Sequence, residues 1–116
     1  PDGLNEVINN LKSHFKKNIF LIFGCGGDRD KSKRILMGKI ANKKCFKVYI
    51  TDDNPRFENA KLIRLQIAKG CKKAEIISSR EKAIKKALKL LKKNQILLQL
   101  RVLKSFVKLQ QIALII

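Results

Sequence analysis

The chain has no tryptophan, one tyrosine, one histidine and two prolines, and it sets only 9 aspartates and glutamates against 27 lysines and arginines. Each shortage removes a class of chemistry. His14 has no acid or cysteine beside it, so no Ser-His-Asp set and no histidine metal centre can be assembled, and it reads as structural. No paired-carboxylate site offers itself, and the residues supply neither a catalytic constellation nor a metal cluster. Cys25, Cys45 and Cys71 are odd in number and widely spaced. That fits neither a disulfide framework nor a metal knuckle, and it points to a reducing, cytoplasmic setting. Cys25, between Gly24 and Gly26, reads as a small packing residue rather than a reactive thiol. No apolar run is long enough to cross a bilayer, the tail Ile112 to Ile116 included, so no membrane partner is expected. No leader pattern opens the chain. Pro1-Asp2-Gly3 reads as the middle of a longer protein, so a fragment is expected.

The shortage of rings also bears on the charge. A net charge of +18 is the strongest argument for a nucleic-acid partner, because phosphate neutralisation dominates such binding. Yet aromatics make up only 6%, the lysines are scattered over almost every segment, and no motif interleaves bases with stacking rings. The lysine excess over arginine is what a codon usage biased toward Lys, Asn and Ile produces. Two readings stay open: a compositional bias, which argues against nucleic acid, or a basic α/β module that binds nucleic acid or another polyanion.

What is present is an ordinary globular balance, 45% hydrophobic and 31% charged over 116 residues. That length makes one domain, too short for a nucleotide-binding domain plus a substrate domain. Leu4, Val7, Ile8, Leu11 and Phe15 recur at helical spacing, predicting a helix from Gly3 to Lys16 with Asp2 as its cap. Ile19-Phe20-Leu21-Ile22-Phe23 is a continuous apolar run ending on Gly24, which reads as a strand buried on both faces and implies a parallel sheet. After a glycine-rich loop, Ile35, Leu36, Ile40 and Ala41 are expected to form one face of a second helix, and Lys47 to Thr51 a second strand. Ala60, Ile63, Ile67 and Ala68 give a third helix closed by Gly70 as its C′ residue. Glu75-Ile76-Ile77 is a third strand. Ser78 and Glu81 suggest a capping box ahead of Ala83, Ile84, Ala87, Leu88 and Leu91, and Ile96-Leu97-Leu98 a fourth strand. Strands alternating with helices predict a doubly wound α/β sheet, in which ligands sit at the carboxyl ends of strands.

Two polar loops occupy such ends. Gly24-Cys25-Gly26-Gly27-Asp28-Arg29-Asp30-Lys31 removes Cβ atoms where the backbone must turn or approach another group, and its N–H groups can cradle an anion. It matches neither G-x-x-x-x-G-K-[ST] nor G-x-G-x-x-G. Arg29, Lys31, Lys33 and Arg34 are candidates to neutralise phosphate or carboxylate, with Asp28 and Asp30 to orient them or meet a ribose hydroxyl. Asp53-Asn54-Pro55-Arg56 is the second loop. Pro55 fixes its own φ and biases Asn54 away from the helical region. Arg56 offers a planar fork for a carboxylate, Asn54 donors and an acceptor, and Asp53 a partner for an ammonium, a set that suits a zwitterionic amino acid.

The stretch F-G-C-G-G-D-R-D-K-S-K-R-I-L-M-G, Phe23 to Gly38, followed by V-Y-I-T-D-D-N-P-R, Val48 to Arg56, closely resembles the C-terminal domain of the Mur ligases. Among them it resembles the members that add meso-diaminopimelate to UDP-N-acetylmuramoyl-L-alanyl-D-glutamate (the UDP-MurNAc-dipeptide). Pro1-Asp2 likewise resembles the end of the family's Y-x-H-T-P-D segment. The resemblance implies a Rossmann-like domain with a mostly parallel sheet flanked by helices. It implies one part of a three-domain cytoplasmic enzyme of peptidoglycan synthesis, which uses ATP and Mg²⁺ to form an acyl phosphate that the incoming amine attacks. It implies that Asp53, Asn54, Pro55 and Arg56 select meso-diaminopimelate over lysine, and that Arg29 meets its carboxylate. The ATP loop, the UDP-sugar domain and most Mg²⁺ ligands would belong to upstream domains, so this chain is expected not to catalyse alone.

Two departures stand out. The family's K-G-K-R-P-L-M-G is here Lys31 to Gly38 with Ser32 and Ile35 in place of glycine and proline. After Ile96-Leu97-Leu98 the family continues I-A-G-K-G-H-E and supplies a glycine and a glutamate to the ligand, whereas this chain reads Gln99-Leu100-Arg101-Val102-Leu103-Lys104. Residues 1–98 are therefore read as the amino-acid-binding domain and residues 99–116 as a divergent tail, with a displaced reading frame and a damaged gene end as its two open origins.

Overall fold

The structure is a computed structural model that describes residues 2–15, 18–27, 31–92, 95–102 and 107–115. Helix α1 (Asp2–Phe15) leads into strand β1 (Asn18–Cys25), helix α2 (Lys31–Lys44), strand β2 (Lys47–Ile50), helix α3 (Ala60–Gly70), the short strand β3 (Glu75–Ile76), helix α4 (Arg80–Leu90), strand β4 (Gln95–Val102) and strand β5 (Val107–Ile115). The sheet order is β3-β2-β1-β4-β5. The first four strands run parallel, and β5 pairs antiparallel with β4 across an irregularity at Gln99/Leu100. This is the expected α/β architecture.

Ile19 to Phe23 are all buried, because β1 sits mid-sheet with a helical layer on each face. Alternate residues sort to the two sides. Ile19, Leu21, Phe23, Val48, Ile50, Leu98 and Leu100 pack with Leu4 and Ile8 of α1, Met37 and Ala41 of α2, and Ile63 and Ile67 of α3. Phe20, Ile22, Tyr49 and Leu97 meet Ala83 and Ala87 of α4. Lys44 Nζ, at the end of α2, donates to the side-chain oxygens of Asn5 and Asn9, fastening α2 to α1. No helix among the described residues is long and apolar enough to cross a membrane.

Four local expectations change. The inward face of α2 is Arg34, Met37, Gly38 and Ala41, while Leu36 is 46% exposed. Hydrophobic periodicity missed it because the stripe contains an arginine and a glycine. Gly70 closes α3 but not with left-handed backbone, since no glycine among the described residues has positive φ. Its role is proximity: a Cβ there would lie 2.1 Å from Ile35 O, and one on Gly38 would lie 2.1 Å from Ile67 O, so bare backbone lets α2 and α3 cross closely. The N-cap of α4 is Ser79, whose side chain accepts from Lys82 N–H, while the carbonyl of Ser78 accepts from Asp52 N–H. No capping box with Glu81 forms, because Ser79 puts Lys82 at the third helical position. Finally, β4 runs four residues beyond Leu98. Gln99 and Leu100 are buried, and Arg80 Nη1 donates to Leu100 O at 3.1 Å.

All three thiols are buried, Cys25 at 1%, Cys45 at 3% and Cys71 at 1% exposure. Burial pushes Cys45 up to about 12, against the opposing pull of Lys12 and Lys73, and burial likewise raises Cys71. A native-state assay with a chromogenic disulfide at pH 8 should therefore find no fast thiol, and three per chain after denaturation. A rapidly titrating cysteine in the folded protein would contradict this packing.

Candidate functional site

The carboxyl ends of β1, β2 and β4 lie side by side, since Phe23 pairs with Ile50 and Cys25 with Val102. Connections leave β1 toward β2, while β4 lies on its other side, so the loop after β1 sits where the strand order reverses. The loop after β2 lies beside it. Both predicted loops thus reach one edge of the sheet, together with the point where the chain leaves β4.

These loops touch through glycine. Gly27 N–H donates to Asn54 O at 2.7 Å, and a Cβ on Gly27 would lie 1.9 Å from Pro55 O. Gly24 meets the same segment lower down, where a Cβ would lie 2.3 Å from Thr51 O. Any side chain at either position would hold the loops apart.

The second loop is shaped by its own side chains. Asn54 N–H donates to Asp53 Oδ1 at 2.8 Å, and Arg56 N–H donates to Asn54 Oδ1 at 3.0 Å. The latter is an Asx turn, a local bond that stabilises a tight bend. Within it Arg56 takes φ 52°, the positive φ found among the non-glycine residues described. Such a conformation costs about 1 kcal/mol for a residue with a long side chain and concentrates at functional sites. The turn closes with Glu58 N–H donating to Pro55 O at 2.9 Å. Arg56 is exposed, and its guanidinium has no hydrogen bond or ion pair among the described residues. Next to it Phe57 is 98% exposed.

Arg34 does not join the exposed cations. It is wholly buried, and its guanidinium bonds to Glu58, Gln66 and the carbonyl of Gly26. Sequence shows charge but not burial, and so groups it with the phosphate candidates. Its inward position could have been read from its helical spacing to Met37, Gly38 and Ala41. Asp52, also missed, forms an ion pair with Arg64 of α3 and braces the start of the loop. Lys33 is exposed, and Lys31 is the first residue of α2. Asp28, Arg29 and Asp30 lie outside the described residues. The structure therefore brings Asn54, Pro55 and Arg56 against Gly27, with Asp53 immediately before them in the same loop.

Elsewhere, Lys82, Lys85, Lys86, Lys89 and Leu90 line an open depression of about 410 Å³ on α4. Lys85 is paired with Glu81, and Lys86 with Glu75, whose carboxyl is held below its usual range chiefly by the hydrogen bond from Lys86. No group of three His, Cys, Asp or Glu among the described residues could hold a metal ion.

A family model described as "Mur ligase, glutamate ligase domain" matches residues 1–100. The chain is 53% identical over 87 residues to the UDP-N-acetylmuramoyl-L-alanyl-D-glutamate--2,6-diaminopimelate ligase of Buchnera aphidicola subsp. Schizaphis graminum, covering 72% of this chain and 18% of the relative. The protein of the same name from Rickettsia typhi is 53% identical over 103 residues, covering 84% of this chain and 21% of the relative. A solved structure of a ligase with that name superposes with TM-score 0.75 at 29% identity, covering 96% of this chain and 25% of the solved one. The chain spans about a fifth of the length of these curated relatives.

Proposed function

This chain belongs to the Mur ligase family, as its C-terminal, glutamate ligase domain, and from that premise we propose that its paired loops bind meso-diaminopimelate. The enzyme it would serve is the cytoplasmic, ATP-dependent ligase that joins this amino acid to UDP-MurNAc-L-Ala-D-Glu during peptidoglycan synthesis. The observation that carries the reading is Arg56: exposed, without a partner among the described residues, and held in a costly backbone conformation where the two loops meet.

The ligand has an amino-acid group at each end. One end supplies the amine that reacts, and the other is a zwitterion for the protein to hold. The Arg56 fork suits the distal carboxylate with two parallel hydrogen bonds, and Asp53 suits the ammonium. Arg29 adds a second cation to the carboxylate in this reading, with Asp28 and Lys31 toward the nucleotide side. ATP and Mg²⁺ are assigned to the upstream domains. This domain's part is to bind and orient the amine, not to activate the acyl group. Alone it should not catalyse.

The boundary reading belongs to the same proposal: residues 1–98 are the binding domain, and 99–116 a divergent tail from a displaced frame or a damaged gene end. The family match, which stops at residue 100, supports it. The nucleotide sequence tests it directly, because a shifted frame must encode G-K-G-H-E near codon 99.

L-lysine lacks the distal carboxylate, which makes it the sharp control. Titration of the ¹⁵N-labelled chain should give saturable shifts at Gly27, Asn54 and Arg56 with meso-diaminopimelate, and binding at least about tenfold weaker with L-lysine, the cost of one charged hydrogen-bonded contact. Equal binding of both, or binding of neither, would refute the assignment.

A further inference from the structure

We infer that Arg34 is a positioning residue, a buried guanidinium that locks the glycine loop onto the Asp53–Arg56 turn and so holds Arg56 at its ligand. The inference rests on the ligand reading of that turn. Its physical basis is independent of it.

Arg34 is 0% exposed and heads the fully buried side chains by volume. Arginine is almost never buried to this degree without dedicated partners. Here Nη2 donates to Glu58 Oε2 at 2.6 Å and to Gly26 O at 3.2 Å, while Nη1 donates to Glu58 Oε1 at 3.0 Å and to Gln66 Oε1 at 2.7 Å. The Glu58 contact is a parallel, two-pronged pair, the geometry that fixes orientation as well as distance. These partners, among the described residues, come from three places: the loop after β1, the loop after β2, and α3.

What those partners do next is the argument. Gly26 precedes Gly27, whose N–H holds Asn54 O at 2.7 Å, and Glu58 N–H holds Pro55 O at 2.9 Å. Asn54, Pro55, Arg56 and Phe57 therefore lie between two pins, and both pins lead back to Arg34. A positive φ at Arg56 persists only where the surroundings over-determine it, and this lock is what over-determines it. Stability alone does not call for an arginine here, since apolar residues of similar volume often replace buried ion pairs without loss. Lysine would keep the charge, but a point ammonium cannot span both carboxylate oxygens and a carbonyl at once.

Arg34→Lys, Glu58→Gln and Arg56→Ala in the 116-residue chain separate the possibilities, with amide exchange and meso-diaminopimelate titration as readouts. Arg34→Lys and Glu58→Gln should speed exchange at Gly27 by about tenfold or more relative to the sheet amides of Leu21 and Val48, as local opening does. Both should weaken meso-diaminopimelate binding by about tenfold, while Arg56→Ala should weaken it by roughly a hundredfold and leave Gly27 exchange unchanged. If Arg34→Lys does not fold, Glu58→Gln, at a partly exposed carboxylate, carries the same comparison. Gly27 exchange that is unchanged, or that rises only in step with the sheet, would show Arg34 to be core filling and overturn the inference. A parent chain that binds no meso-diaminopimelate defeats the ligand reading instead. Selective release at Gly27 would then still support the lock.

Discussion

Alanine at Gly38 should destabilise the chain by roughly 3 kcal/mol, a large part of the margin of a domain this size. The usual sign is the opposite, because glycine inside a helix costs about 1 kcal/mol relative to alanine. Here a Cβ would lie 2.1 Å from Ile67 O, and at Gly70 the corresponding atom would lie 2.1 Å from Ile35 O and 2.7 Å from Lys39 N. The obstacles are backbone atoms of the facing helix, so no rotamer change relieves them and α2 must move off α3. That movement would also disturb Arg34, which reaches from α2 to Gln66 of α3. Because one separation accommodates both new methyls, the double variant should cost less than the sum of the singles, with a coupling of about 1 to 2 kcal/mol. Urea unfolding of the two singles and the double measures it. Additive costs, or a stabilised single variant, would show that the helices do not cross on these glycines.

The same crossing shows what a sequence reveals and what it hides. The sheet was legible because its strands carry unbroken apolar runs: Ile19 to Phe23 needs no context to read as buried. Single-residue roles that depend on another segment were not. Gly70 offered the pattern of a helix stop and proved to be a contact with a helix more than twenty residues earlier. Arg34 offered a cation beside other cations and proved to be wholly buried. The apolar run predicts strand β4 only as far as Leu98, where Gln99 and Arg101 interrupt it, whereas pairing with β1 carries it to Val102. The candidate site divides similarly. Each loop could be found from its residue types, and the resemblance joined them in one ligand, but their contact is a backbone bond from Gly27 to Asn54 that residue chemistry does not encode.

Arg56→Gly should separate function from fold most cleanly. Glycine adopts φ 52° without the steric cost an arginine meets there, a gain of about 1 kcal/mol. Against that, glycine widens the unfolded ensemble by about 0.4 to 1 kcal/mol. The two nearly cancel, so the unfolding midpoint should barely move. The backbone N–H that Asn54 Oδ1 accepts from is retained, so the turn keeps its bend. Ligand binding has no such compensation. Losing a two-pronged contact to a carboxylate removes about 3 kcal/mol, or roughly a hundredfold in affinity for meso-diaminopimelate. L-lysine, which offers no distal carboxylate to Arg56, should bind the variant and the parent alike. Matched titrations of both ligands, with thermal unfolding of both chains, make the comparison. If meso-diaminopimelate affinity survives in a folded Arg56→Gly chain, the carboxylate is held elsewhere and the strained arginine is incidental to binding. If affinity and stability fall together, the side chain supports the turn itself, and its exposure at the loop edge has another cause.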